Sequence, residues 1–595
     1  MRSSRPVAPV RRRSADAVHR PSTGRRTLLA LLPLLAWPAA GARAQEPFTL
    51  EEILRAPFVS DLVAAPTGAT FAWVRYEEGV RDVWVASRPG FRGRRLTSYG
   101  SDDGQEISDL SFTPDGRRLL FVRGGAPNRD GEIPNPISDP RGSERKIWVV
   151  DLEGPEAGTP REVAEGDAPV PSPDGSRVVF VREGRLWWAP LDATADSSGG
   201  SDDGARALAT VRGRISSVRW SPDGRWLAFV SARGDHGFIG ILEPEEGTLR
   251  FIDPSVDRDG SPAWSPDGRR LAFLRIPNER DRLPFAPRRA ALPWSLRVAD
   301  VETGASVEVW RAPQGAGSAF QSVESSSQLW WGAGDRLVFP WEGDGWLHLY
   351  SVPAGGGEAT PLTPGEFEVE HVTLAADRRH VVFSSNQDDI DRRHLWRVAV
   401  GGGAASEALT SGEGIEWSPV VAADGRSIAF LASDARTPAH AEVLETGGTR
   451  RPLVEAFLPA GFPLAELVVP EPVVLEAEDG VRVHAQLFTP PDLAAGDRRP
   501  ALLFFHGGSR RQMLLGFHYL GYYHNAYALN QYLASRGYIV LSVNYRSGTG
   551  YGLEFREALD YGARGASEYR DVVAAGRWLA ERPDVDPARI GLWGG

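Results

Sequence analysis

The side chains of this chain best suited to covalent chemistry gather toward its carboxy-terminal end. Ser509, Ser535, Ser542 and Ser547 supply hydroxyls, and His484, His506, His518 and His524 supply imidazoles in the same stretch. A hydroxyl attacks well only when a neighbouring base takes its proton, so these residue types together raise the question of a nucleophile and its base. Three glycine-rich turns lie in the same stretch, His506-Gly507-Gly508, Ser547 to Gly552 and Gly594-Gly595. Arg546 adds a cation able to orient a substrate or to tie down its own loop. Cysteine is absent, which excludes a thiol nucleophile, thiolate metal sites, disulfides and a lipid-anchored lipoprotein form. Nothing in the pattern calls for a metal or another cofactor.

The elements that carry these residues alternate between strand and helix. Val473 to Glu476 and Val481 to Leu487 read as a hairpin turning at Glu478-Asp479-Gly480. Ala501-Leu502-Leu503-Phe504-Phe505 is a continuous apolar run, as a strand buried on both faces requires, and it ends at His506. A helix around Tyr527 to Arg536, a second buried strand from Tyr538 to Val543 and an amphipathic helix from Ser567 to Leu579 follow. The chain closes on Ile590-Gly591-Leu592-Trp593-Gly594-Gly595. This alternation predicts a parallel, doubly wound sheet.

Upstream of Pro470 the sequence repeats itself. Thr113-Pro114-Asp115-Gly116 leads to Phe121, Ser172 to Phe180, Ser221 to Phe229 and Ser265 to Phe273, always at one offset. Ala65 to Trp73, Trp331 to Phe339, Ala375 to Phe383 and Ala422 to Phe430 keep the offset without the turn residues, which makes eight copies. Each has a second apolar strand, such as Ile147-Trp148-Val149 or Leu395-Trp396-Arg397-Val398. Pro-Asp-Gly supplies a tight turn between two short strands, with Pro fixing φ and Gly taking φ > 0. Copies at this spacing predict an eight-bladed β-propeller over residues 65–455. Two Pro-punctuated insertions, Gly124 to Gly142 and the segment around Pro277 to Pro284, are candidate linings of a substrate entrance.

A net charge of −11, with no Lys/Arg run beyond the first 26 residues, argues against a nucleic-acid partner. Arg25-Arg26, the apolar run Leu28 to Trp37 and Ala42-Arg43-Ala44 form an export signal, of Sec or twin-arginine type, cleaved after Ala44. The run is shorter than the ~20 residues of a membrane span, so no permanent anchor is expected.

His-Gly-Gly after a buried strand, Asn544-Tyr545-Arg546 with its Gly-rich loop, the approach Arg582 to Ile590 and the closing Gly-Leu-Trp-Gly-Gly together resemble the α/β-hydrolase domain of the prolyl oligopeptidase family. The repeat in front is similar to that family too, and eight copies resemble its dipeptidyl peptidase IV branch. The resemblance implies an exported serine peptidase acting on peptides through an acyl-enzyme. It implies a nucleophile elbow, Gly-x-Ser-x-Gly, in which Gly594 is the first glycine, Gly595 the variable position and the serine falls at position 596. The triad order Ser, Asp, His then puts acid and base later still, so the 595-residue polypeptide is expected to be inactive, and the serines and histidines named above are not the triad.

The same resemblance gives His506 and Gly507 an oxyanion role; in the dipeptidyl peptidase IV branch a tyrosine hydroxyl stands where this sequence has His506. That branch grips the substrate's amino terminus with adjacent glutamates, and no copy of the motif is visible: Glu77-Glu78 and Glu245-Glu246 sit in ordinary blade contexts. The expected organisation is a signal peptide (1–44), an N-terminal segment (45–64), the propeller (65–455), a linker (456–469) and a partial α/β-hydrolase domain (470–595). An esterase of the same fold and a non-enzymatic periplasmic propeller module are the alternatives. Specificity for proline, exo- or endopeptidase action and oligomeric state have no signature here. Protein recovered from the periplasm or medium should give an intact mass beginning at or near Gln45, and a stable product retaining residues 1–44 would refute export by cleavage.

Overall fold

The computed structural model describes residues 48–595 except 141, 193–203, 280–285, 509 and 563–564, so the export signal lies outside the described residues. Eight four-stranded antiparallel sheets follow one another as propeller-like blades, the fourth and fifth linked by a single parallel pair, Gly237 with Arg258. In each blade the chain runs from the innermost strand outwards. Val59, Phe71 and Trp73 of the first blade share one apolar cluster with Ile415, Trp417 and Leu431 of the last, which closes the ring.

The repeated turn works as its residues predict. Thr113 donates its hydroxyl to Asp115 at 2.6 Å, the Gly116 amide donates to the Thr113 carbonyl at 2.8 Å, and Gly116 takes φ +72°. The aromatic at the fixed offset is the buried centre of its blade: Phe121, Phe180, Phe229, Phe273, Phe339, Phe383 and Phe430 are 0% exposed and Trp73 is 1%.

The ring begins earlier than residue 65. Phe58–Ala64, expected to precede the propeller, is the innermost strand of the first blade. Its alternation is interrupted at Asp61, which has φ +53° within a bulge. Asp109, Ala168, Ser217, Ser261 and Ser418 hold similar left-handed backbones in the inner strands of five other blades. Ahead of it, the Leu50–Leu54 helix is opened by a capping box between Thr49 and Glu52. Phe48 and Ile53 pack with Phe488, Phe517 and Tyr527, so this segment belongs to the core of the carboxy-terminal region.

That region forms a five-stranded sheet in the order Glu471–Glu476, Arg482–Phe488, Ile539–Asn544, Arg499–Phe505, Val585–Gly594. The sheet is mixed where a parallel one was expected: the hairpin strand Arg482–Phe488 pairs antiparallel with Ile539–Asn544, while Arg499–Phe505 runs parallel to both of its neighbours. A hairpin reverses direction within a short turn, so one of its strands must oppose the sheet it joins. The helices Gly521–Ser535 and Glu568–Glu581 supply the covering layers.

Ring and sheet meet across a buried polar seam. Arg556 forms a two-pronged pair with Glu342 at 2.5 and 2.7 Å, both side chains almost wholly buried. Glu368 accepts the amides of Gly550 and Gly552 at 2.9 and 3.0 Å, and Arg393 joins Glu370 to Gln512 at 2.7 and 2.6 Å. The insertion after Ile276 takes part: Arg288 and Arg289 donate to Glu557, while residues 280–285 lie outside the described set. The other insertion folds back, with Pro136 against Gly104 and cavities of about 350 and 340 Å³ beside it.

Removing one member of a buried pair strands the other charge, at a cost of about 3 kcal/mol or more, whereas an apolar replacement of both is close to neutral. Glu342→Gln should therefore lower the urea midpoint strongly, and Glu342→Leu combined with Arg556→Met should restore most of it. A single variant as stable as the parent would show that the seam does not hold the two parts together.

Candidate active site

The parallel pairing of Phe505 with Gly594 carries two glycine turns to the same end of the sheet. There Gly507 and Gly595 touch: a methyl group in place of the Gly507 hydrogen would strike the Gly595 carbonyl oxygen. A methyl at Gly594 would strike the Phe505 carbonyl in the same way, so close approach of the strands is what demands glycine at these positions. The structure thus brings together His506, Gly507, Gly594 and Gly595, the four residues expected to form the oxyanion region and the start of the elbow.

Two tyrosines hold this turn: Tyr523, which no motif announces, and Tyr545 of the Asn544-Tyr545-Arg546 motif. The Tyr523 hydroxyl accepts the Gly507 amide and donates to the Gly507 carbonyl, each at 3.0 Å. The Tyr545 hydroxyl donates to the His506 carbonyl at 2.8 Å, and its ring stacks on the His506 imidazole with centroids 4.6 Å apart. His506 is 2% exposed, and burial pushes its imidazole down to about 4, so at neutral pH it is an uncharged ring wedged under the turn. The Gly507 amide, the expected oxyanion donor, is already engaged by Tyr523.

Arg546 is buried between two carboxylates. Its guanidinium donates to Asp479 at 2.6 and 2.9 Å and to Asp571 at 2.6 to 3.0 Å, and its backbone amide donates to Asp571 as well. A guanidinium has five N–H donors; with two carboxylates on its forks, Arg546 anchors the Gly-rich loop to the hairpin turn and the Glu568–Glu581 helix. Of the two roles the sequence leaves open for Arg546, this geometry is that of the loop tie. Asp479, hydrogen-bonded by Arg546, is held well below the usual carboxylate range.

The remaining serines and histidines have structural positions. Ser542 and Ser547 are buried, Ser535 donates to the Tyr532 carbonyl within its own helix, and Ser509 lies outside the described residues. His518 bridges Gln512 and Leu520, His524 packs between Phe58 and Phe517, and His484 faces Asp391. The paired glutamates meet arginines: Glu77 meets Arg75, Glu78 meets Arg55 and Glu245 meets Arg177. A more notable acid is Glu324, exposed in the loop before Trp330, whose carboxyl is pushed up by partial desolvation, with Glu370 adding to the push and Arg511 opposing it. Glu324 and Glu370 are neighbours only in space, which is why no local motif announced them. Among the described residues no group of three or more His, Asp or Glu is arranged to hold a metal, and no helix is long and apolar enough to cross a membrane.

A succession of propeller-like four-stranded sheets followed by a mixed sheet with helices is the architecture of dipeptidyl peptidase 4-like structures. The fold superposes on Porphyromonas gingivalis dipeptidyl peptidase 4 with a TM-score of 0.65 at 17% identity, covering 92% of this chain and 81% of that one. It also superposes on a Mycobacterium tuberculosis puromycin-hydrolyzing peptidase, with a TM-score of 0.60 at 19% identity over 93% and 75% of the two chains. Residues 525–595 match the prolyl oligopeptidase family and residues 289–439 the dipeptidyl peptidase IV N-terminal region. The uncharacterized peptidase YuxL of Bacillus subtilis is 35% identical over 130 residues, 21% of this chain and 18% of that protein. A probable dipeptidyl peptidase 4 of Aspergillus flavus is 27% identical over 270 residues, 42% of this chain and 32% of that protein, so the chain matches less than two thirds of either relative's length. Residues 525–595 thus carry the pattern of the prolyl oligopeptidase family, and residues 289–439 that of the dipeptidyl peptidase IV N-terminal region.

Burial leaves His371, His506 and His524 near 4 and His518 near 3, against an ordinary value of 6.5. An unfolded chain therefore binds more protons than the folded one between those limits, and the histidine contribution to stability is whole above 6.5 and lost as pH falls toward 4. The urea midpoint should drop between about pH 7.5 and about pH 5, and His524→Leu should flatten that dependence. A His524→Leu profile as steep as the parent's would place the titrating groups elsewhere.

Proposed function

We propose that this chain builds the propeller and the nucleophile-elbow region of an exported serine peptidase that cleaves peptide bonds through an acyl-serine intermediate. The observation that carries the reading is the contact of His506-Gly507 with Gly594-Gly595 at the end of the sheet, where the second pair closes the segment that matches the family. In an elbow of this kind the strand delivers the next residue to a sharp turn, where its side chain stands clear of the sheet. A serine following Gly595 would stand beside the turn that Tyr523 and Tyr545 brace. The blades supply the other wall of the space: Glu342 and Glu368 reach from them to the loops around the site, Glu370 does so through Arg393 and Gln512, and Glu324 adds an exposed acid. Such a wall favours short or unstructured chains over folded proteins. Peptides are the partners this implies, and residues 1–44 supply the export route.

A fluorophosphonate probe should label none of Ser509, Ser535, Ser542 and Ser547 in the 595-residue polypeptide. A chain continued through a serine after Gly595 and the later acid and base should be labelled at that one serine. Labelling of the 595-residue polypeptide at any residue would overturn the elbow assignment. Turnover of simple esters with no cleavage of peptides by the continued chain would favour an esterase.

A further inference from the structure

We propose that the Tyr522 hydroxyl is the side-chain donor that stabilises the oxyanion at this elbow. The inference rests on the serine-peptidase reading above and adds to it a residue that neither the glycine turns nor the histidine supplies.

Acyl transfer needs hydrogen-bond donors aimed at the carbonyl oxygen as it gains charge. The donors first expected on the strand side do not meet that need. The Gly507 amide is taken by Tyr523 at 3.0 Å, and Tyr523 is itself tied by its return bond to the Gly507 carbonyl. The His506 ring lies flat against Tyr545, is 2% exposed and is uncharged, so it offers no cation to the site.

Tyr522 occupies the space left open. It lies in the first turn of the Gly521–Ser535 helix, and unlike Tyr523 beside it, it is 57% exposed. Its hydroxyl sits directly over Gly595, close enough that a methyl on that residue would collide with it. The ring is braced edge-on against Tyr523, centroids 5.1 Å apart and planes at 87°, and Tyr523 is fixed by Gly507, so the hydroxyl's position follows from the same turn that shapes the site. Successive Cα atoms are about 3.8 Å apart, so the residue after Gly595 starts within reach of this hydroxyl.

In the acylation step the serine oxygen bonds to the substrate carbonyl carbon, the serine proton passes to the base, and the carbonyl π pair moves onto its oxygen. Tyr522 donates its O–H to that oxygen and keeps its proton. When the tetrahedral adduct collapses, the pair returns, the C–N bond breaks, and the leaving amine takes the proton held by the base.

The test compares Tyr522→Phe with the parent in the chain continued through the serine, acid and base, using fluorophosphonate labelling and a peptide p-nitroanilide. Loss of one oxyanion donor lowers kcat by about 100-fold, and KM should stay within about twofold because the donor acts on the transition state. Affinity for a peptide boronate, which mimics the tetrahedral adduct, should fall with kcat, while affinity for a product peptide should not. That split separates a donor from a residue that only props the turn, and an unchanged melting temperature should accompany it. A labelled parent with Tyr522→Phe equally fast overturns the tyrosine alone. An unlabelled parent overturns the serine reading and this inference with it.

Discussion

Carboxylates withdrawn from water must find cations or amides, and the buried seam between ring and sheet is where this chain meets that demand. Burial works against ionisation of Glu370, yet Arg393 at 2.7 Å prevails and holds its carboxyl below the ordinary range. Glu342 is pushed up by burial while Arg556 opposes the shift. Glu342 and Glu368 stand on the ring and are answered from loops of the sheet, while Arg393 links Glu370 to Gln512, so satisfying the charges also sets the distance between the two parts. The seam grips the Gly550 to Gly552 loop, and Arg546, a few residues earlier, ties the other end of that loop to Asp479 and Asp571. The elbow strand and the ring are thus referred to one frame.

Much of this was legible in the sequence because its signals are local. The Pro-Asp-Gly turn and the aromatic eight residues after its start lie in one hairpin, so periodicity alone locates the blades. His506-Gly507-Gly508 and Gly594-Gly595 were legible as the two turns of the site, since close backbone approach leaves a glycine signature. The first inner strand escaped notice because its bulge at Asp61 breaks the alternation that marks a strand. The mixed character of the sheet depended on which neighbour the hairpin chose, a non-local decision.

The chemistry of individual side chains was less legible than the scaffold. Arg546 invited a functional reading, and only its two aspartates, one far upstream and one on a later helix, show that its donors are spent. Tyr522 and Tyr523 are adjacent residues of one helix with different fates, one exposed over Gly595 and one folded onto Gly507, and nothing in their order says which is which. Glu324 and Glu370 become neighbours only when the sixth and seventh blades stand side by side.

The left-handed residue in six of the inner strands has a consequence for how such a ring can vary. Asp, Ala and Ser fill those places, so the position does not ask for a particular functional group; it asks for a backbone that non-glycine residues adopt at a modest penalty and β-branched ones resist. The wall of the central channel therefore contains sites where polarity is free to drift but branching is not. A set of related chains would show there a ban on Val, Ile and Thr in place of a preferred residue, a pattern invisible to any search for conserved identity.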